Sequence, residues 1–203
     1  MGNTPLPPSS EIEQIMGYEK FVKQNSEVTP CDATITLTRH GEHPSWGAIY
    51  WQYDDTLSTI EAHGNNDIEV SRQYYVMREN RLQAIEHTAL HMGDIVTVRL
   101  QFTTQRDMQY LTLTDSRPAC FEPTQQLPQY LYGGNIWYYC VPSDAGTTFY
   151  IEHLPRGTYV IEYQVYVDRK GSYSASAATM QCYYAPQFTA HTAGAKVIVG
   201  NNP

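Results

Sequence analysis

Ile95-Val96-Thr97-Val98-Arg99-Leu100-Gln101-Phe102-Thr103 is the stretch whose reading decides the fold. Val96, Val98, Leu100 and Phe102 recur at every second position, so a strand places all four on one face and Thr97, Arg99 and Gln101 on the other. Met92-Gly93-Asp94 just before it reads as a tight turn that launches the strand. Working outward, similar short β-type runs recur at Ala33–Arg39, Ala48–Tyr53, Ile68–Met77, Tyr110–Thr114, Ile136–Val141, Thr147–Glu152, Gly157–Val167, Tyr173–Tyr184 and Ala195–Val199. Arg78–Asn80 reads as a turn with Arg81–Glu86 returning as a hairpin arm. Gly133-Gly134 suits a primed hairpin turn. Asp54–Glu61 reads as a short helical turn capped by Asp54, and His63–Asp67 as a turn cluster and domain boundary. No long segment of helical period separates the strands. The expectation is an all-β chain: an antiparallel β-sandwich with a short β segment before it.

Composition agrees and excludes several partners. The chain has 203 residues, enough for one large or two small domains. Hydrophobic residues make up 41% and charged residues 17%, which fits a packed core and not a disordered chain. A net charge of −8 repels phosphate, so neither nucleic acid nor an anionic membrane is an expected partner. No stretch approaches the apolar length of a membrane helix, and residues 1–10 lack the pattern of a signal peptide. The start reads as the cut end of a longer exported chain. The 17 tyrosines suit pleated surfaces, with their hydroxyls turned to water or to a partner. Cys31, Cys120, Cys140 and Cys182 stand far apart with no CxxC, which argues against a zinc knuckle. Buried free thiols and a Cys120–Cys140 disulfide remain two alternatives.

No catalytic or metal constellation stands out. Leu37-Thr38-Arg39-His40-Gly41-Glu42 looks like the phosphate-accepting start of a histidine phosphatase, with His40 as nucleophile. Such chemistry also needs a second Arg, a second His and an acid converging on one pocket of an α/β sheet; the next run is β-type and the βαβ alternation is missing, so a polar hairpin turn is the reading. His87 and His91 have the i, i+4 spacing of a helical metal pair, but their neighbours read as strand and turn. Asp144 with Glu152, Asp54 with Asp55, and Ser143 with His153 and Asp168 have no motif around them. Neither catalysis, a metal nor a cofactor is expected. What remains is aromatic: Tyr130, Tyr132 and Trp137 in QYLYGGNIWYY, Tyr184 after a late strand, and Trp46 and Trp51 near the start. Such residues anchor protein interfaces or, alternatively, make the platform of a carbohydrate-binding or adhesion module.

Six segments in order add a resemblance. They are Pro44–Tyr53 (PSWGAIYWQY), Val70–Tyr75 (VSRQYY), Gly93–Leu100 (GDIVTVRL), Ala119–Pro123 (ACFEP), Leu154–Val160 (LPRGTYV) and Gln181–Phe188 (QCYYAPQF). Together they resemble the C-terminal region of bacterial alpha-2-macroglobulin-like proteins, from about residue 44 to the end. The resemblance implies a truncated CUB-like β domain over 1–62. It also implies a C-terminal macroglobulin-like (receptor-binding-domain-like) sandwich over 68–203. It implies a non-catalytic module of a periplasmic or envelope-bound protease trap. Neighbouring domains of the parent chain, and through them a target protease, would be its partners. Some members carry a C-x-E-Q-type thioester; this chain has no such motif. In those relatives a tyrosine of the last domain is thought to shield the thioester, and Tyr184 in Tyr184-Ala185-Pro186 is the matching position the resemblance suggests.

Overall fold

The structure, a computed structural model, describes residues 13–15, 18–20, 22–36, 38, 43, 44, 46–52, 54, 56–64 and 67–200. The chain divides into two compact units, Met1–Gln52 and Tyr53–Pro203. Among the described residues, no helix is long and apolar enough to cross a membrane.

The first unit holds a two-stranded antiparallel hairpin, β1 (Glu13–Ile15) with β2 (Tyr18–Lys20), followed by 3-10 turns at Asn25–Glu27 and Pro30–Ala33. The strand expected over Ala33–Arg39 is absent from its described positions. Thr29-Pro30-Cys31-Asp32 wins locally: proline starts a helical turn, and the Asp32 carboxylate accepts the Thr29 amide and hydroxyl. Residues 48–52, the described part of the strand expected over Ala48–Tyr53, have no regular structure and are exposed. An alternating run becomes a strand only where another edge pairs with it. Leu37 and the Arg39–Glu42 motif with His40, like Ser45, Tyr53 and Asp55, lie outside the described residues.

The second unit is the sandwich. Its strands are β3 (Ile68–Arg78), β4 (Arg81–Ala84), β5 (Leu90–His91), β6 (Ile95–Thr104), β7 (Met108–Ser116), β8 (Phe121–Pro123), β9 (Gln129–Gly133), β10 (Ile136–Pro142), β11 (Gly146–Leu154), β12 (Gly157–Val167), β13 (Gly171–Ala175), β14 (Ala178–Cys182), β15 (Thr189–His191) and β16 (Ala195–Gly200). One sheet has the order β15-β14-β7-β11-β10-β9, the other β4-β3-β6-β12-β8, and both are antiparallel. A third, small sheet, β13-β16-β5, includes a parallel pairing of β16 with β5. Segment 54–64 belongs to this unit: His63 and His191 exchange main-chain bonds at 2.9 and 2.7 Å, and the Gly194 amide donates to Ile60 O at 2.8 Å.

The core follows the alternation. Val96, Val98, Leu100 and Phe102 are fully buried, facing Leu111, Leu113, Phe149 and Ile151 of the other sheet in one continuous cluster. Cys120, Cys140 and Cys182 are buried free thiols and Cys31 is an exposed one. Burial pushes the Cys120 thiol up to about 11. The Tyr173–Tyr184 run, read as one strand, is two: β13 lies in the small sheet and β14 in the six-stranded one. The chain changes sheets at Ser176-Ala177, and period-two patterning carries no mark of which sheet a strand joins.

A charged pair crosses this core. The Arg72 and Asp115 side chains are 2% and 1% exposed, with Nη1 and Oδ1 2.5 Å apart. Arg72 Nη2 donates to Ser176 O at 2.6 Å, Tyr163 Oη donates to Asp115 Oδ2 at 2.7 Å, and the guanidinium lies over the Tyr74 ring. Burial, and then the Asp115 charge, hold the Tyr163 phenol well above its ordinary range, so it stays a donor.

A second ion pair closes the corner before β6. Arg78 Nη1 donates to Asp94 Oδ1 at 2.9 Å, and the His91 amide to Asp94 Oδ2 at 2.7 Å. Burial works to raise the Asp94 carboxyl, but these donors outweigh it and hold it below its usual range. A depressed carboxyl contributes stability that is present above the unfolded value, ~3.9, and is lost as pH falls through the folded value. Arg78→Ala is therefore expected to lower unfolding stability by about 1 kcal/mol at pH 7, with the gap narrowing below about pH 4. Urea unfolding of both proteins across that range checks it; a gap that stays constant to acid pH would contradict it.

Candidate functional site

The β9–β10 hairpin turns at Gly134-Asn135, one residue later than the Gly133-Gly134 expected. Both turn residues have positive φ (58° and 66°), and Gly133 pairs with Ile136, as in a type I′ turn. Only glycine fits position 134, because a Cβ there would stand 2.3 Å from Val160 O. This register makes Gly133/Ile136, Leu131/Tyr138 and Gln129/Cys140 the hydrogen-bonded pairs and Tyr132/Trp137 and Tyr130/Tyr139 the close, non-bonded ones. Ring centroids follow: 5.2 Å for Tyr132–Trp137 and 4.7 Å for Tyr130–Tyr139. Tyr139 in turn pairs with Tyr150 of β11. Tyr130, Tyr132, Trp137, Tyr139 and Tyr150 thus share the outer face of the six-stranded sheet, while Ile136, Tyr138 and Cys140 face the core.

Tyr184 lies in the 183–188 loop between β14 and β15, exposed, with its ring edge-on to Tyr183 (5.1 Å) and Tyr110 (5.4 Å). Tyr110 carries φ of 55°, and its carbonyl accepts the Tyr183 amide at 2.8 Å. A bulky residue in the left-handed region is rare within a strand. Tyr110 also links the two aromatic groups. Gln109, Tyr110, Asn135, Trp137, Glu152 and His153 line one shallow depression. Of the residues singled out in the sequence, Tyr130, Tyr132, Trp137 and Tyr184 therefore belong to one surface. Trp46 and Trp51 belong to the first unit and are exposed there. Tyr110 and Tyr150 were missed, because nothing local marks which strands lie beside the hairpin.

The arrangement suits contact more than chemistry. The ring pairs are inclined at 43° and 52°, so neighbouring rings are not coplanar as the carbohydrate or adhesion alternative would have them. Ser143 and His153 stand at opposite ends of β11, as do Asp144 and Glu152, so neither the triad nor the acid pair assembles. The Ser143 hydroxyl is engaged in a turn, donating to Gly146 O. His87 lies in a 3-10 turn and His91 in β5, so they do not share a helical face. Among the described residues no three His, Cys, Asp or Glu side chains converge as metal ligands.

The model of the bacterial alpha-2-macroglobulin MG10 domain matches residues 68–187. The chain belongs to this family. The match spans β3 to the 183–188 loop and contains, wholly or nearly so, five of the six segments that carry the sequence resemblance; Pro44–Tyr53 lies before it. Solved structures agree on the fold. The MG10-family chain is 18% identical to Salmonella alpha-2-macroglobulin reacted with methylamine, with a TM-score of 0.57 over 72% of this chain and 10% of that one. It is 15% identical to trypsin-activated alpha-2-macroglobulin from Escherichia coli, with a TM-score of 0.56 over 70% of this chain and 11% of that one. A third relative, Circularly permutated Ras protein 2 of Dictyostelium discoideum, is 20% identical over 206 residues, covering 94% of this chain and 5% of that protein. The chain thus spans a small part of each relative's own length.

Proposed function

We propose that this chain is the non-catalytic, C-terminal macroglobulin-like domain of an alpha-2-macroglobulin-like protease trap, preceded by the remainder of a CUB-like β domain over 1–62. Its role is to pack against neighbouring domains of the parent chain and so to hold that chain's conformational state. The target protease is a partner only of the parent, which the family reading puts in the periplasm or cell envelope. The observation that carries the role is the aromatic face on a sandwich of this family, exposed at Tyr130, Tyr132, Trp137 and Tyr150 and continued by the half-buried Tyr139. Rings of this kind anchor interfaces because they bury large areas with few rotamers to fix. In this reading Tyr184 is a contact residue, and a shield only if the parent holds a thioester.

Hydrogen exchange tests it. In the full parent chain the amides of 136–141 and 148–152 should exchange at least about tenfold more slowly than in the isolated 203-residue chain, because a neighbouring domain covers the face. Equal exchange in the two would remove the packing role while leaving the family membership untouched.

A further inference from the structure

β9 ends the six-stranded sheet. Since Gln129, Leu131 and Gly133 bond inward to β10, the amides and carbonyls of Tyr130 and Tyr132 point away from it. Among the described residues no turn, strand or side-chain bond meets these groups. A groove lined by Tyr132, Gly133, Gly134 and Val160, and by the mutually paired Arg99 and Glu162, opens beside them. Open edges are ordinarily guarded by lysine, an internal proline or a bulge. Here none is present: β9 is Gln-Tyr-Leu-Tyr-Gly in unbroken register, and residues 123–143 contain no Asp, Glu, Lys, Arg or His in a chain with 13 basic and 21 acidic residues. Two copies of net charge −8 repel each other wherever acidic surfaces meet. This uncharged stretch is where they approach at least cost.

We propose that two copies of this chain pair through β9, antiparallel, about a two-fold axis at Leu131. The open set is self-complementary under that operation, because Tyr130 of each copy faces the second copy's Tyr132. Each facing pair then exchanges both of its main-chain hydrogen bonds, and Leu131 faces its own copy as a non-bonded pair. The aromatic face continues across the join, with Tyr139–Tyr130 of one copy leading to Tyr132–Trp137 of the other. This inference concerns the main-chain edge and does not rest on the domain-packing reading above.

Sedimentation equilibrium of the 203-residue chain at roughly 100 µM should give twice the 23.1 kDa mass. Tyr130→Lys/Tyr132→Lys places lysine against lysine across the axis and should weaken association at least about tenfold, with the far-UV circular dichroism of the folded sandwich retained. On a Cys31→Ser background, Leu131→Cys puts two thiols at a pair whose Cα atoms lie ~4.5 Å apart, within disulfide range, so mild oxidation should yield a cross-linked dimer. Leu82→Cys, on the edge of the other sheet, should not. A monomer at that concentration, a dimer that survives the double lysine variant, or equal cross-linking from Leu82→Cys would each overturn the proposal.

Discussion

Arg72→Met is expected to cost about 3–5 kcal/mol of unfolding free energy, well beyond what loss of a surface arginine costs. The residue sits on β3 between Val70 and Tyr74, with a side chain 2% exposed. Removing its charge leaves the Asp115 carboxylate inside the sandwich with Tyr163 Oη as its remaining side-chain donor. It also leaves Ser176 O without its guanidinium donor, at the point where the chain changes sheets. The physical origin is desolvation: an ion stranded in a low-dielectric core costs several kcal/mol, whereas the intact pair roughly offsets its own desolvation. The double variant Arg72→Met/Asp115→Leu should accordingly recover a large part of the loss. Denaturant unfolding of the two single variants and the double gives the coupling energy. A single-variant loss below about 1 kcal/mol would mean that water reaches the pair.

Phe149→Ala is the second large effect, also expected at about 3–5 kcal/mol. Phe149 is 1% exposed in β11, edge-on to Tyr138 at 5.7 Å and tilted against Tyr163 at 5.5 Å. It therefore fills the space between the sheet that carries the aromatic face and the sheet opposite. Truncation loses the transfer energy of the ring and opens a cavity that rigid strands on both sides close poorly. Phe149→Leu keeps most of the volume and should cost less, about 1–2 kcal/mol. The comparison belongs in urea, with the slope of the unfolding transition unchanged. Equal losses for Ala and Leu would point to ring geometry in place of volume.

Much of this architecture was legible without coordinates. Gly157–Val167 is a strand with those bounds, and the Val96–Phe102 alternation placed the correct face in the core. Both follow from a rule that needs no partner: opposite faces of a strand meet different environments, so the residues alternate. The Arg72–Asp115 pair left a readable trace. Each stands at a core-facing parity, Arg72 among Val70, Tyr74 and Val76, and Asp115 after Leu111 and Leu113. Two opposite charges at inward positions signal a buried pair, but 43 residues of sequence separate them and only the sheet packing joins them. The described residues of the runs at 33–39 and 48–53 show the reverse failure, since β-branched and aromatic residues favour strands only where an edge is available.

The sequence by itself determined the all-β class, the period-two core, the β9–β10 turn to within one residue and the absence of charge over 123–143, because each depends on residues close in the chain. The tertiary structure alone decided the rest. It put β13 and β14 in different sheets, joined Tyr110 to both aromatic groups, and left β9 at an open edge. These are matters of strand order and register, which arise from which distant surfaces bury each other best, and no local pattern encodes that choice.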